Sequence, residues 1–215
     1  AVVGLGGGRP RPAAVQPRAT EFLVERPVEP ACLCLFDVDR TLTGKQHLAD
    51  KCEGNAVISG VFDTAFGGGD LTLSAVGQGV KSTFCGGCHR GVVSAGPAGG
   101  PGEKAVIAQH LADNPNEEAH WSLAGNIRSQ YVINCPNPKK ALCAKGILKW
   151  FGETKGIWIE PQEVYFFDDL TGNTASFAAE GMNARQISCA SRDGEIGVCG
   201  AQTSEIVRTK GIKNC

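Results

Sequence analysis

The chain has 215 residues, 42% of them apolar, and its 21 basic and 22 acidic side chains leave a formal charge of −1. That balance excludes a wholly disordered chain and argues against a strongly basic nucleic-acid binder, and the length suits one domain with a tail. The 29 glycines follow no Gly-X-Y period and no apolar run reaches about 18 residues, which excludes collagen and a membrane-spanning helix, while 10 cysteines favour an oxidising or organellar compartment, or a metal.

Residues 1–30 are rich in proline, glycine and arginine, with Gly6-Gly7-Gly8 followed by Arg9-Pro10-Arg11-Pro12. Proline lacks an N–H donor and glycine is costly to order, so no regular element is expected there. The stretch reads as a flexible arm, with two sharper alternatives: a docking segment for a protein partner, or the remnant of a cleaved targeting sequence. The opening residues, without methionine, charged n-region and apolar h-region, are read as lacking an intact signal peptide.

The domain proper is expected over 31–215. Ala31–Phe36 is a short apolar run suited to a strand buried on both faces. Residues 44–80 form a glycine-rich insert, expected to be irregular over 54–80 with a short helix near Leu73–Lys81 and a mobile flap around Gly67-Gly68-Gly69. Further strands are expected at Gly91–Ser94, Glu163–Phe167 and Ala184–Ser188. Helices are expected at Glu103–Leu111, at Lys140–Phe151 with Gly152 as its stop, and at Gly172–Glu180 with Gly181 as its stop. Strands alternating with helices imply an α/β fold: a Rossmann-like parallel sheet with helices on both faces. Ligands bind such sheets at the carboxyl ends of the strands.

Those ends carry acids. The first strand runs into Asp37-Val38-Asp39-Arg40-Thr41, and the strand at 163–167 runs into Asp168-Asp169. Four carboxylates leaving two buried strands call for a cation, and hard oxygen ligands of this kind suit Mg²⁺.

FDVDRTLTG resembles the first motif, D-x-D-x-T, of the haloacid dehalogenase (HAD) superfamily, and VYFFDD resembles its fourth. Ser94, after Gly91-Val92-Val93, and Lys145, which lies 23 residues before Asp168, stand in the order of the intervening motifs. The resemblance covers about residues 31–190 and implies a Mg²⁺-dependent phosphatase. Asp37 would be the nucleophile forming an aspartyl-phosphate. Asp39 would be the general acid and then the base, its backbone carbonyl also a metal ligand. Thr41 would hold the loop and help bind phosphate; Ser94 would donate to a phosphoryl oxygen. Lys145 would offset charge on nucleophile and phosphate, with Lys140 its rival. Asp168 and Asp169 would complete the metal site with Asp37 and Asp39, and Asn173 would brace the loop. Read apart from the resemblance, Ser94 is also consistent with a turn residue and Lys145 with a solvated side chain, while His47, close after the first motif, is open to substrate contact or to a solvated loop position.

Asp37 and Ser94 stand 57 positions apart, and Ser94 and Lys145 stand 51 apart. Once core helices are placed, neither gap has room for a large cap domain, so an open site is expected. The substrate would be a phosphorylated small molecule or macromolecule. The competing reading is a catalytically idle fold used as a binding or assembly subunit of a larger, organellar complex. Cys85-Gly86-Gly87-Cys88-His89 matches C-x-x-C-H, which is open to haem attachment, a redox pair, a zinc site or a structural disulfide, within the motif or to Cys52 or another thiol. Cys32 and Cys34 are read as facing opposite sides of the first strand and packing as small hydrophobes. The compartment is expected to be secretory, extracellular or a plastid lumen rather than cytosol.

Overall fold

The structure, a computed structural model, describes residues 1, 2, 4, 31–114 and 119–215. The arm expected at 1–30 otherwise lies outside the described residues. In chain order the elements begin with β1 (Leu33–Phe36), β2 (Ala56–Asp63), β3 (Gly69–Leu73), α1 (Ala75–Gly79), β4 (His89–Val93) and α2 (Pro101–Leu111). Then come β5 (Trp121–Leu123), β6 (Tyr131–Ile133), α3 (Lys140–Trp150), β7 (Val164–Asp168), α4 (Thr171–Ala175) and β8 (Asn183–Gln186). Three two-residue strands close the chain: β9 (Arg192–Asp193), β10 (Ile196–Gly197) and β11 (Ile212–Lys213).

Seven strands form one sheet in the order β11-β8-β7-β1-β4-β6-β5. Every neighbouring pair is parallel, so the α/β Rossmann-like arrangement read from the alternating pattern is the one observed. β1 is central and wholly buried. The chain leaves it for β4 on one side and reaches β7 on the other, making β1 the topological switch point, the place where such sheets bind ligands. Cys34, Phe36, Val92 and Phe167 pack on one face against Ile107, Ala108 and Leu111 of α2. Leu33, Leu35, Val93 and Phe166 pack on the other against Ala141, Ala144 and Ile147 of α3.

The glycine-rich insert differs from its expectation. Instead of an irregular loop, β2 and β3 form an antiparallel hairpin. Gly67, Gly68 and Gly69 adopt φ of 99°, 83° and 158°, which L side chains rarely reach, so the glycines make the turn rather than prevent order. Gln46 ties the hairpin down by donating to Asp63 Oδ2 (2.5 Å) and to the Ala65 carbonyl (2.9 Å). No large cap domain is inserted on either side of β4 among the described residues. Gly152 does not stop α3: the Trp158 ring lies where its side chain would be, and the chain continues in a wider turn to Gly156, φ +68°. Helix 172–180 is shorter than expected, α4 giving way to a tight turn at Ala178–Glu180 before Gly181, φ +67°.

All ten cysteines are paired. Cys32 bonds Cys88 and Cys34 bonds Cys85, so the C-x-x-C-H segment is stapled to β1. This corrects the reading of Cys32 and Cys34 as unpaired residues on opposite faces: side chains two apart on a strand share a face. It also leaves Cys85 and Cys88 no free sulfur for haem, zinc or a vicinal redox pair. The buried Arg90 fastens the same segment, donating to the carbonyls of Cys85 (2.8 Å), Cys88 (2.9 Å) and Leu111 (2.7 Å) and pairing with Asp113. Cys52–Cys199, Cys135–Cys143 and Cys189–Cys215 complete the set. Five disulfides are the pattern of a chain folded in an oxidising environment. No described helix is long and apolar enough to cross a membrane.

Cys52–Cys199 closes the longest loop, with a sequence separation of 147, for which chain entropy allows up to about 5 kcal/mol. The double substitution Cys52→Ser/Cys199→Ser should lower the thermal midpoint by more than Cys135→Ser/Cys143→Ser, which opens a separation of 8. Iodoacetamide without reductant should leave the mass of the native protein unchanged.

Candidate functional site: a carboxylate and lysine cluster at the switch point

β1 and β7 pair so that Phe36 faces Phe167, and the Asp37 N–H donates to the Phe167 carbonyl at 2.9 Å. The next register pair is therefore Asp37 and Asp168, two acids emerging side by side from the centre of the sheet. Their neighbour is Lys140, the first residue of α3. Its Nζ lies 2.7 Å from Asp37 Oδ1 and 2.7 Å from Asp168 Oδ2, and the side chain is 1% exposed. Asp168 also accepts from Asn173 Nδ2 (2.9 Å) and the Leu170 N–H (2.8 Å). Asp169 accepts from the Gly197 N–H of β10 at 2.7 Å. Oxygens of Asp37, Asp168 and Asp169 lie within 4.8 Å of one another.

The lysine therefore differs from the sequence expectation. Lys145 is 54% exposed and pairs with Glu180 at 2.8 Å, away from the acids. Both lysines lie on α3, but only the first residue of a helix that begins at the carboxyl edge of the sheet reaches the strand ends.

The chain leaves Asp37 in one wide turn over Val38–Leu42, with Arg40 at φ 63°. Thr43, not Thr41, braces it: its hydroxyl donates to the Val38 carbonyl at 3.2 Å and accepts from the Arg40 N–H at 3.3 Å. The Thr41 hydroxyl and the Ser94 hydroxyl are buried without a hydrogen-bond partner. Ser94 follows β4, adjacent to β1, so its orphaned hydroxyl stands at the same sheet edge. Asp39 groups with Asp63 and Glu103, the three forming a second cluster with oxygens within 4.8 Å of one another. His47 is exposed.

Burial pushes the Asp37 carboxyl well above its usual range, opposed by Lys140 and reinforced by Asp168 and Asp39. Burial alone would lower Lys140, but Asp37 and Asp168 outweigh it and hold its proton more tightly than usual. Asp169 is pushed up to about 7, by burial first, against the Gly197 N–H and with Asp168 adding repulsion. Burial and then Asp63 raise Asp39. Glu103 rises to about 8 through burial, then Asp63 and Asp39. When ionised, Asp37, Asp168 and Asp169 against one ammonium carry a formal charge of −2, that of one divalent cation. Three carboxylate oxygens within 4.8 Å of one another suit a hard ion of the Mg²⁺ class.

Sequence reasoning missed Asp63, Glu103 and Gly197. The first two show no motif and are brought in by the hairpin and by α2; the third acts through its backbone N–H. The Asp-x-Asp and Asp-Asp pairs were legible because each sits at the end of an apolar run.

Fold and site define an α/β protein with a buried carboxylate and lysine cluster at the switch point of its sheet. No protein-family profile and no curated protein matches the chain. Among solved structures it is similar to a hypothetical protein from Xanthomonas campestris, at 20% identity and a TM-score of 0.40, over 72% of this chain and 64% of that one.

Lys140→Ala leaves two buried carboxylates uncompensated and should destabilise the protein by about 3–5 kcal/mol in urea unfolding, whereas Lys145→Ala, which opens a partly exposed pair, should cost under about 1 kcal/mol. Glu103 supplies a pH test. Its ordinary value is 4.5 and its folded value about 8, so the folded state holds the proton more tightly. With chelator present, stability should fall as pH rises between those values. Thermal melts should show a smaller fall in Glu103→Gln than in the parent, a difference of several degrees; equal slopes would contradict the assignment.

Proposed function

We propose that the protein is a Mg²⁺-dependent phosphatase of the HAD superfamily, hydrolysing phosphomonoesters through an aspartyl-phosphate on Asp37. The observation that carries the reading is the Lys140 ammonium held between Asp37 and Asp168 at the switch point, together with the motif order in the sequence. The orphaned hydroxyls of Thr41 and Ser94 add support, since both are buried donors without a partner at that edge.

An Asp37 carboxylate oxygen attacks phosphorus in line with the ester oxygen, which departs with a proton from Asp39. Asp39, now a base, takes a proton from water; the water oxygen displaces Asp37 and inorganic phosphate leaves. Lys140 neutralises charge shared by Asp37 and the phosphoryl group, and Thr41 and Ser94 donate to its oxygens. Asp37, Asp168 and Asp169 would hold Mg²⁺, with the Asp39 carbonyl as the expected fourth ligand; when bound, the ion supplies positive charge to the phosphoryl oxygens. Asp39 is suited to both its tasks because burial and Asp63 raise its proton affinity above that of an ordinary carboxyl. The substrate is a phosphorylated small molecule or macromolecule, and the working compartment an oxidising one.

Hydrolysis of para-nitrophenyl phosphate should require Mg²⁺ and be abolished by EDTA. Asp37→Asn should reduce kcat by at least about a thousandfold with the fold intact, and Lys140→Arg should reduce it less than Asp37→Asn. Parental activity in Asp37→Asn would refute the reading.

A further inference from the structure

The second acidic cluster is used only in part by the proposed chemistry. Asp39 comes from the turn after β1, Asp63 from the end of β2 and Glu103 from the first turn of α2, and one carboxylate oxygen from each lies within 4.8 Å of the others. Asp63 is held in place: its Oδ2 accepts from Gln46 and its Oδ1 from the Ala65 N–H at 2.8 Å. Glu103 has no such support. It is 0% exposed, and neither of its oxygens has a hydrogen-bond partner. The chain accommodates this carboxylate at a backbone cost, because Gly99 sits at φ +59° and any side chain there would collide with Glu103 Oε2.

An unpartnered carboxylate buried against two others is expensive unless it keeps its proton, as Glu103 does up to about pH 8, or a cation takes that proton's place. No described ion pair involves any of the three. The neighbouring Arg40 guanidinium lies over the Phe66 ring, 4.2 Å from its centroid, and offsets Asp39 and Asp63 without forming an ion pair with either. It is not among the charges that act on Glu103. Size chooses the kind of cation. Glu103 is fully buried, leaving no room for an ammonium group about as large as a water molecule, whereas a bare metal ion fits between oxygens at about 2.0–2.6 Å.

We propose that Asp39, Asp63 and Glu103 form a second divalent-cation site, separate from Asp37, Asp168 and Asp169, that pins the β2–β3 hairpin to α2 and to the turn after β1. The ion is of the oxygen-preferring class, Ca²⁺, Mn²⁺ or Mg²⁺. Its binding does not rest on the phosphatase reading. If both hold, an ion here engages Asp39 and competes with proton transfer by that residue.

The test is a titration of the full chain with Mn²⁺, following free Mn²⁺ by electron paramagnetic resonance. The parent should bind two ions per chain. Glu103→Gln and Asp169→Asn should each lose one, and the double variant should bind neither. Hydrogen exchange supplies a second readout: Mn²⁺ should slow exchange over residues 56–73 in the parent and in Asp169→Asn, and leave it unchanged in Glu103→Gln. Two ions bound by Glu103→Gln, or one ion in the parent that Asp169→Asn abolishes, overturns the proposal. Should Glu103→Gln fail to fold, Glu103→Asp keeps the charge and shortens the reach; it should weaken one of the two sites at least about tenfold, and two unaltered affinities would again overturn the proposal.

Discussion

A single buried ammonium group reconciles the sheet with its acids. β1 and β7 are central parallel neighbours in fixed register, so Asp37 and Asp168 must emerge together. Two adjacent carboxylates with so little exposure would repel strongly in a medium of low dielectric. Lys140 answers both at 2.7 Å. Its position carries a cost of its own, because a cation at a helix N-terminus opposes the helix dipole. The two carboxylates outweigh that cost. The Cys135–Cys143 bond ties the entry loop to the first turn of α3, keeping the lysine at the sheet edge.

Around this centre the protein relies on cross-links as well as core. Cys32–Cys88 and Cys34–Cys85 fasten the segment before β4 to the strand it will pair with, and Arg90 collects the carbonyls that this tight segment leaves behind. The cysteines that resembled a functional motif are thus part of the scaffold. Their spacing reflects the distance between two positions on one face of β1.

The turn Val38–Leu42 divides the acids into two groups. Asp37 faces Lys140, Asp168 and Asp169; Asp39 faces Asp63 and Glu103. A regular helix there would point both side chains elsewhere, and a continued strand would place both on one face. The wide turn, with Arg40 left-handed, lets the two side chains join different carboxylate groups while Asp39 still acts on Asp37. The hairpin, fixed through Gln46, supplies Asp63 to the outer group.

The central strands, the alternating α/β order and the four acids were legible in the sequence, because β1 and β7 are built on unbroken apolar runs and the first charged residue after each run marks where the strand ends. Asn173 was legible too, as the polar residue five positions after Asp168 expected to brace the loop. The choice of Lys140 over Lys145 was not, since both lie on one helix and only the placement of its first turn against β1 and β7 distinguishes them. The hairpin was hidden because its glycines signal a turn and a loop alike, and pairing between β2 and β3 resolved that ambiguity. The near-neutral charge sum conveyed least: it averages over the whole chain, whereas the acids act where the fold gathers them within a few ångströms.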